Sequence, residues 1–146
     1  MAIATAPVQK RARQEPEPEA KFFQGAVGAR DFKASFVTHD LKQGYWLLEG
    51  TQRVSETSKN IIIFKYLFDR TALPSGRYTL WEDVAEIRFS VIYMELGGTA
   101  LPAYTAVRGT VEFFHDPDTN HVNGALDVYY KDVGDHEVRV QILFSE

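Results

Sequence analysis

Residues 138–144 read Val138-Arg139-Val140-Gln141-Ile142-Leu143-Phe144. Val138, Val140, Ile142 and Phe144 fall on one side of an extended chain, with Arg139 and Gln141 on the other. A period of two is the signature of a half-buried strand. The same spacing recurs upstream. Across 121–130, Val122, Leu126, Val128 and Tyr130 point inward. Across 103–115, Val107, Val111 and Phe113 share a face opposite Arg108, Thr110 and Glu112. Gly109 interrupts that run, as a bulge or sheet corner does. The connections Asp116–Asn120 and Lys131–Glu137 are rich in turn residues.

The first half behaves alike. Phe32, Ala34 and Phe36 alternate with Asp31, Lys33 and Ser35 in a strand over 30–38, and Trp46, Leu48 and Gly50 share one face of 44–54. The run 59–69 is apolar on both sides, which predicts a strand covered on both faces. A short strand over 76–81 follows the turn at Pro74-Ser75-Gly76. In 84–96, Ile87, Phe89, Val91 and Tyr93 oppose Glu86, Arg88 and Ser90. Propensity tolerates a helix over 82–90, but the β-branched and aromatic content of 87–93 favours strand. No segment sustains a helical period and there is no internal repeat. The expectation is an all-β domain of about eight or nine strands. It is an antiparallel β-sandwich or a closed up-and-down (lipocalin-like) barrel.

Composition narrows the function classes. The chain has 146 residues, no cysteine and a formal net charge of −4. The lack of cysteine removes disulfide scaffolding and thiolate chemistry. The negative charge argues against a nucleic-acid surface. Aromatics make up 13% of the residues, a content suited to strands and rigid contact surfaces. In residues 1–20 the basic Lys10, Arg11 and Arg13 precede a Pro/Glu stretch, the reverse of a secretory leader. These residues are expected to be a flexible tail ahead of a single domain over 21–146. No apolar run is long enough to cross a bilayer as a helix. The expected location is cytoplasmic, or outside the cell by a route needing no Sec signal peptide.

The second half has an order of parts: Ser75-Gly76-Arg77-Tyr78-Thr79-Leu80, then Arg108-Gly109-Thr110-Val111-Glu112-Phe113, the turn at Asp116–Asn120, Val122-Asn123-Gly124-Ala125-Leu126, and a last strand ending in Phe144. This resembles small bacterial lipocalin-like or β-sandwich domains of unknown function. Arg108 stands where those domains usually have Ser, and Leu126 where they usually have Phe. The resemblance implies a fold and says little of function. Such domains are often exported and lipid-anchored, but the cysteine an anchor needs is missing here.

Several polar clusters contain residue types that could carry chemistry. Asp116, Asp118 and Asn120 are spaced like the start of a calcium loop. His121 then occupies the position where that loop needs glycine, and Asp127 the position of its bidentate glutamate. His115 and His121 flank the same turn and are zinc or nickel donors by type. The prevailing reading is a polar hairpin turn with no metal. Asp132, Asp135, His136 and Glu137 belong to the opposite end of strand 121–130. Neither a Walker A nor a dinucleotide glycine pattern occurs, Ser75-Gly76 is not a nucleophile elbow, and His39 and Asp40 diverge on a strand. No cofactor and no catalytic residue is therefore expected. Glu86, Arg88, Arg108 and Glu112 read as cross-strand ion pairs on an outer face.

The aromatics left over for a ligand or partner are Tyr45, Trp46, Trp81 and Tyr93. The resulting expectation is a non-enzymatic binding or assembly module acting through a sheet face or edge, on a protein partner or a second copy. The alternatives are a carrier of a small apolar ligand in a barrel cavity and a small barrel enzyme of isomerase or cyclase type. A sugar is the other ligand that flat aromatic surfaces suit.

Overall fold

The computed structural model describes residues 21–67, 76–80, 89–97 and 102–146, and Phe89 by its backbone. The tail over 1–20, Ser75, Trp81, Glu86, Arg88 and most of 82–90 lie outside the described residues. Eleven strands form among the described residues: β1 (Phe22–Val27), β2 (Arg30–Lys33), β3 (Phe36–Lys42), β4 (Tyr45–Arg53), β5 (Lys59–Leu67), β6 (Gly76–Leu80), β7 (Phe89–Leu96), β8 (Ala103–Thr105), β9 (Arg108–His115), β10 (Val122–Lys131) and β11 (Glu137–Ser145).

They make two antiparallel sheets. One has six strands in the order β2-β1-β11-β10-β9-β6, the other five in the order β3-β4-β5-β7-β8. The sheets are not joined into a closed barrel, which corrects the up-and-down barrel alternative. The physical reason lies in two corners. Ala34 N–H donates to Phe23 O on β1 at 2.9 Å, while the next amide, Ser35 N–H, donates to Thr51 O on β4 at 2.6 Å. Ala106 N–H donates to Val91 O on β7 and Val107 N–H to Tyr129 O on β10, both at 2.8 Å. At each corner, consecutive amides bond to different sheets. The chain thus passes from one layer to the other instead of extending a single sheet around a cylinder.

The corners also explain the strand count. The runs 30–38 and 103–115 each supply two strands, one per sheet, and β1 adds another. The sheet change comes at Ala106-Val107 and not at Gly109, which sits within the β9–β10 ladder opposite Val128.

The core lies between the layers. Phe23 stacks on Phe144 at 5.9 Å, and Phe64 meets Phe113 edge-on at 5.3 Å and Phe144 at 6.0 Å. The inward residues read from β10 and β11 are buried, save Val138, which is partly so. Gly50 belongs to the inward face of β4 for a steric reason. A Cβ there would stand 2.5 Å from the Phe23 ring, so the missing side chain makes the room Phe23 occupies. In β5, Ile62, Phe64 and Tyr66 face the core. Ile61 is buried on the opposite face between its register partners Thr51 and Met94, and Ile63 is partly buried. The two-sided apolar run is therefore the centre strand of its sheet, shielded outside by its neighbours.

Candidate functional site

The four aromatics singled out from sequence do not converge. Tyr45 and Trp46 take opposite faces of β4. Tyr45 is half-buried on the outer side, with Lys65 Nζ 4.3 Å from its ring centroid. Trp46 is a core residue, tilted over His39 at 4.4 Å and His115 at 5.1 Å. Tyr93 is buried at the other end of the sandwich, its ring 5.5 Å from Tyr130. Its hydroxyl donates to Glu95 Oε2 at 2.9 Å, and Arg30 Nη2 donates to the same carboxylate at 3.0 Å. Burial, then this hydrogen bond, pushes the Tyr93 phenol above its ordinary pKa. Trp81 lies outside the described residues.

At the Trp46 end the strands bring together three polar rings. His39 on edge strand β3, Tyr66 on β5 and His115 on β9 all point inward. His39 Nε2 is 2.8 Å from Tyr66 Oη, Tyr66 Oη is 2.7 Å from His115 Nδ1, and His115 Nε2 is 2.9 Å from Asn120 Oδ1. With Asn120 Oδ1 as acceptor, His115 carries its hydrogen on Nε2 and Nδ1 accepts the Tyr66 proton. The Tyr66 oxygen then accepts from His39 Nε2–H. One chain of donors thus crosses from one sheet to the other. Burial lowers the His39 pKa to about 4; His115 and His121 act the same way, while Asp40 and a hydrogen bond to the Asn120 backbone oppose it. Burial raises the Tyr66 phenol.

The turn at 116–121 spends its polar atoms on itself. Asp116 Oδ1 accepts from Asp118 N–H at 2.9 Å, and Asn120 N–H donates to Asp116 O at 2.7 Å. The Asp118 N–H bond above all, then hydrogen bonds from Thr119, hold the Asp116 carboxyl below the usual range. His121 Nδ1 lies 2.8 Å from Glu146 O. Asp132 likewise accepts from Gly134 and His136 N–H in its own loop. Among the described residues no three His, Asp or Glu side chains are placed to hold a metal ion. Arg108 is exposed and forms a two-point pair with Glu137 (3.0 and 2.6 Å), its guanidinium 3.8 Å over the Tyr129 ring; Glu112 is also exposed.

The other concentration of features is the outer face of the six-stranded sheet. Phe22, Phe114 and Leu143 are 39%, 52% and 60% exposed there. The registers set Phe114, Asn123, Ser145 and Phe22 in one row across β9, β10, β11 and β1. Arg77, Glu112, Ala125, Leu143, Gln24 and Lys33 form the next row, from β6 to β2. Two shallow grooves of about 720 and about 430 Å³ cross this face and share Ala125 and Leu143. Small side chains make the floor and Leu143 stands between the grooves.

Both features were missed in the sequence. The signal for the first is a polar ring at an inward period-two position: His39 with Val37 and Leu41, Tyr66 with Phe64, His115 with Phe113. The signal for the second is an apolar residue on a solvent side, Leu143 beside Arg139 and Gln141. No protein-family model, curated protein or solved structure matches the chain.

Proposed function

We propose that the chain is a non-enzymatic binding or assembly module that works through the outer face of its six-stranded sheet. The observation that carries this reading is the trio Phe22, Phe114 and Leu143, exposed together on one flat, grooved surface. Large apolar side chains gathered in one patch mark an interaction site, whereas scattered ones mark nothing. The packing of Phe64 against Phe113, Phe144 and Tyr66 between the sheets favours a face over an interior ligand.

The test is to pan a random peptide library on the chain and map selected peptides by amide chemical shifts. Shifts centred on Phe22, Phe114 and Leu143, abolished by Leu143→Glu, support the reading. Peptides that shift another surface, or that bind Leu143→Glu equally well, overturn it.

A further inference from the structure

Resting on that reading of the face, we infer that its partner is a second copy of the same chain, packed sheet on sheet about a two-fold axis that runs along β11. Within the row Arg77–Glu112–Ala125–Leu143–Gln24–Lys33, the stretch from Glu112 to Lys33 is complementary to itself. Leu143 is at its middle, on β11. Glu112 lies two strands to one side, on β9, and Lys33 two strands to the other, on β2. A two-fold axis along β11 in the plane of contact exchanges the two sides. It sets Leu143 against the Leu143 of the second copy, and Lys33 of each copy against Glu112 of the other. An isologous contact needs this reciprocity.

Each side of the row is two strand spacings, about 10 Å, from the axis, so the opposite charges meet at matched distances. Among the described residues neither Lys33 nor Glu112 takes part in an ion pair within its own chain. Both charges are available to a partner. In the adjoining row, Phe22 on β1 falls opposite Asn123 on β10, and the same axis places the apolar ring over the groove floor. Aligned packing of two sheets about 10 Å apart is a standard arrangement for twisted antiparallel layers. The patch spans about 19 Å from β9 to β2, which belongs with small, reversible interfaces and calls for measurement at high micromolar concentration.

Two experiments read the geometry. Sedimentation equilibrium on the full chain measures dimerisation of Lys33→Glu, Glu112→Lys and the double variant. Each single change puts like charges together twice per dimer and weakens association by about fivefold or more. The double variant restores it to within about twofold of the wild type, the arithmetic of one restored pair. These positions are exposed, and circular dichroism confirms that each variant is folded.

The second experiment uses the absence of native cysteine. Face-to-face sheets stand too far apart for a disulfide, so a short bismaleimide is the probe. Leu143→Cys, on the axis, is cross-linked to a dimer. Arg77→Cys, three strands from the axis on β6, is not. The self-pairing is overturned if the double charge variant stays weak, or if Cys at 143 links no better than Cys at 77. Should peptides still bind the face in that case, the face reading survives and only the identity of its partner fails. If neither peptides nor a second copy engages the face, both fall.

Discussion

The Tyr66 hydroxyl lies 2.7 Å from Nδ1 of His115, and this hydrogen bond joins the centre strand of one sheet to β9 of the other. Around it the packing between the layers is apolar, built from Phe23, Phe64, Phe113 and Phe144; a second polar crossing, Arg30 on β2 to Tyr93 and Glu95 on β7, lies at the other end. Apolar contact holds the layers together without dictating their relative position to a fraction of an ångström. A hydroxyl between two imidazoles does dictate it, because both partners are wrong at a slightly different spacing.

Tyr66→Phe isolates that contribution. The ring stays seated against Phe64 at 5.1 Å and Phe113 at 4.8 Å, so only the hydroxyl is removed. His39 Nε2 loses its hydroxyl partner in a part-buried site. The expected loss is about 1–3 kcal/mol of unfolding free energy, read from urea denaturation at neutral pH. A loss near zero would mean that the polar chain across the sheets contributes nothing net to stability.

The same chain sets an acid dependence. Burial first, then His115, lowers the His39 pKa from 6.5 to about 4. The folded protein therefore binds this proton less readily than the unfolded chain. Stability from this group is whole above pH 6.5 and is lost as pH falls from 6.5 towards 4. Part of the ring meets solvent, so screening shortens the effect. His39→Phe, which carries no titrating group, flattens the urea midpoint against pH in that window. His121 and His115, which press on His39 electrostatically, remain in the variant as the internal comparison. An unchanged slope would place the acid sensitivity elsewhere.

How far the sequence carries can be judged from single residues. Val140, Ile142 and Phe144 were legible as core because each inward position of that strand is apolar. The corner at Ala34-Ser35 was not. In sequence Phe32, Ala34 and Phe36 read as one face of one strand, but the corner resets the alternation: Phe32 is buried and Ala34 packs on the core, whereas Phe36 is 48% exposed and Val37 turns inward, as the hydrogen-bond partners switch from β1 to β4. The barrel alternative survived for that reason alone. The His39–Tyr66–His115 chain was illegible because its members are 27 and 49 residues apart and only tertiary pairing aligns them. Leu143 was hidden in the clearest strand of all, where its polar neighbours Arg139 and Gln141 define the solvent side.

The bulge or corner expected at Gly109 is not there, and the glycine is needed for a different reason. Its place in mid-strand marked it as a bulge or corner, yet it is paired with Val128 inside a regular ladder at φ +131°. A Cβ there would collide with the carbonyl oxygen of Asp127 and stand 2.5 Å from the Val128 Cα, so the clash is with backbone and not with a side chain that can turn away. Gly44 offers the contrast: its φ is +87°, but nothing lies within 4 Å of a Cβ built on it. Gly44→Ala meets backbone strain alone, about 1 kcal/mol. Gly109→Ala meets strain and must also push β10 away from β9, for a loss of about 3 kcal/mol or more. Thermal melts followed by circular dichroism should rank the wild type above Gly44→Ala, and Gly44→Ala well above Gly109→Ala. The reverse order of the two variants would mean that the β9–β10 ladder yields at this point, and that close approach of the strands is not what the glycine supplies.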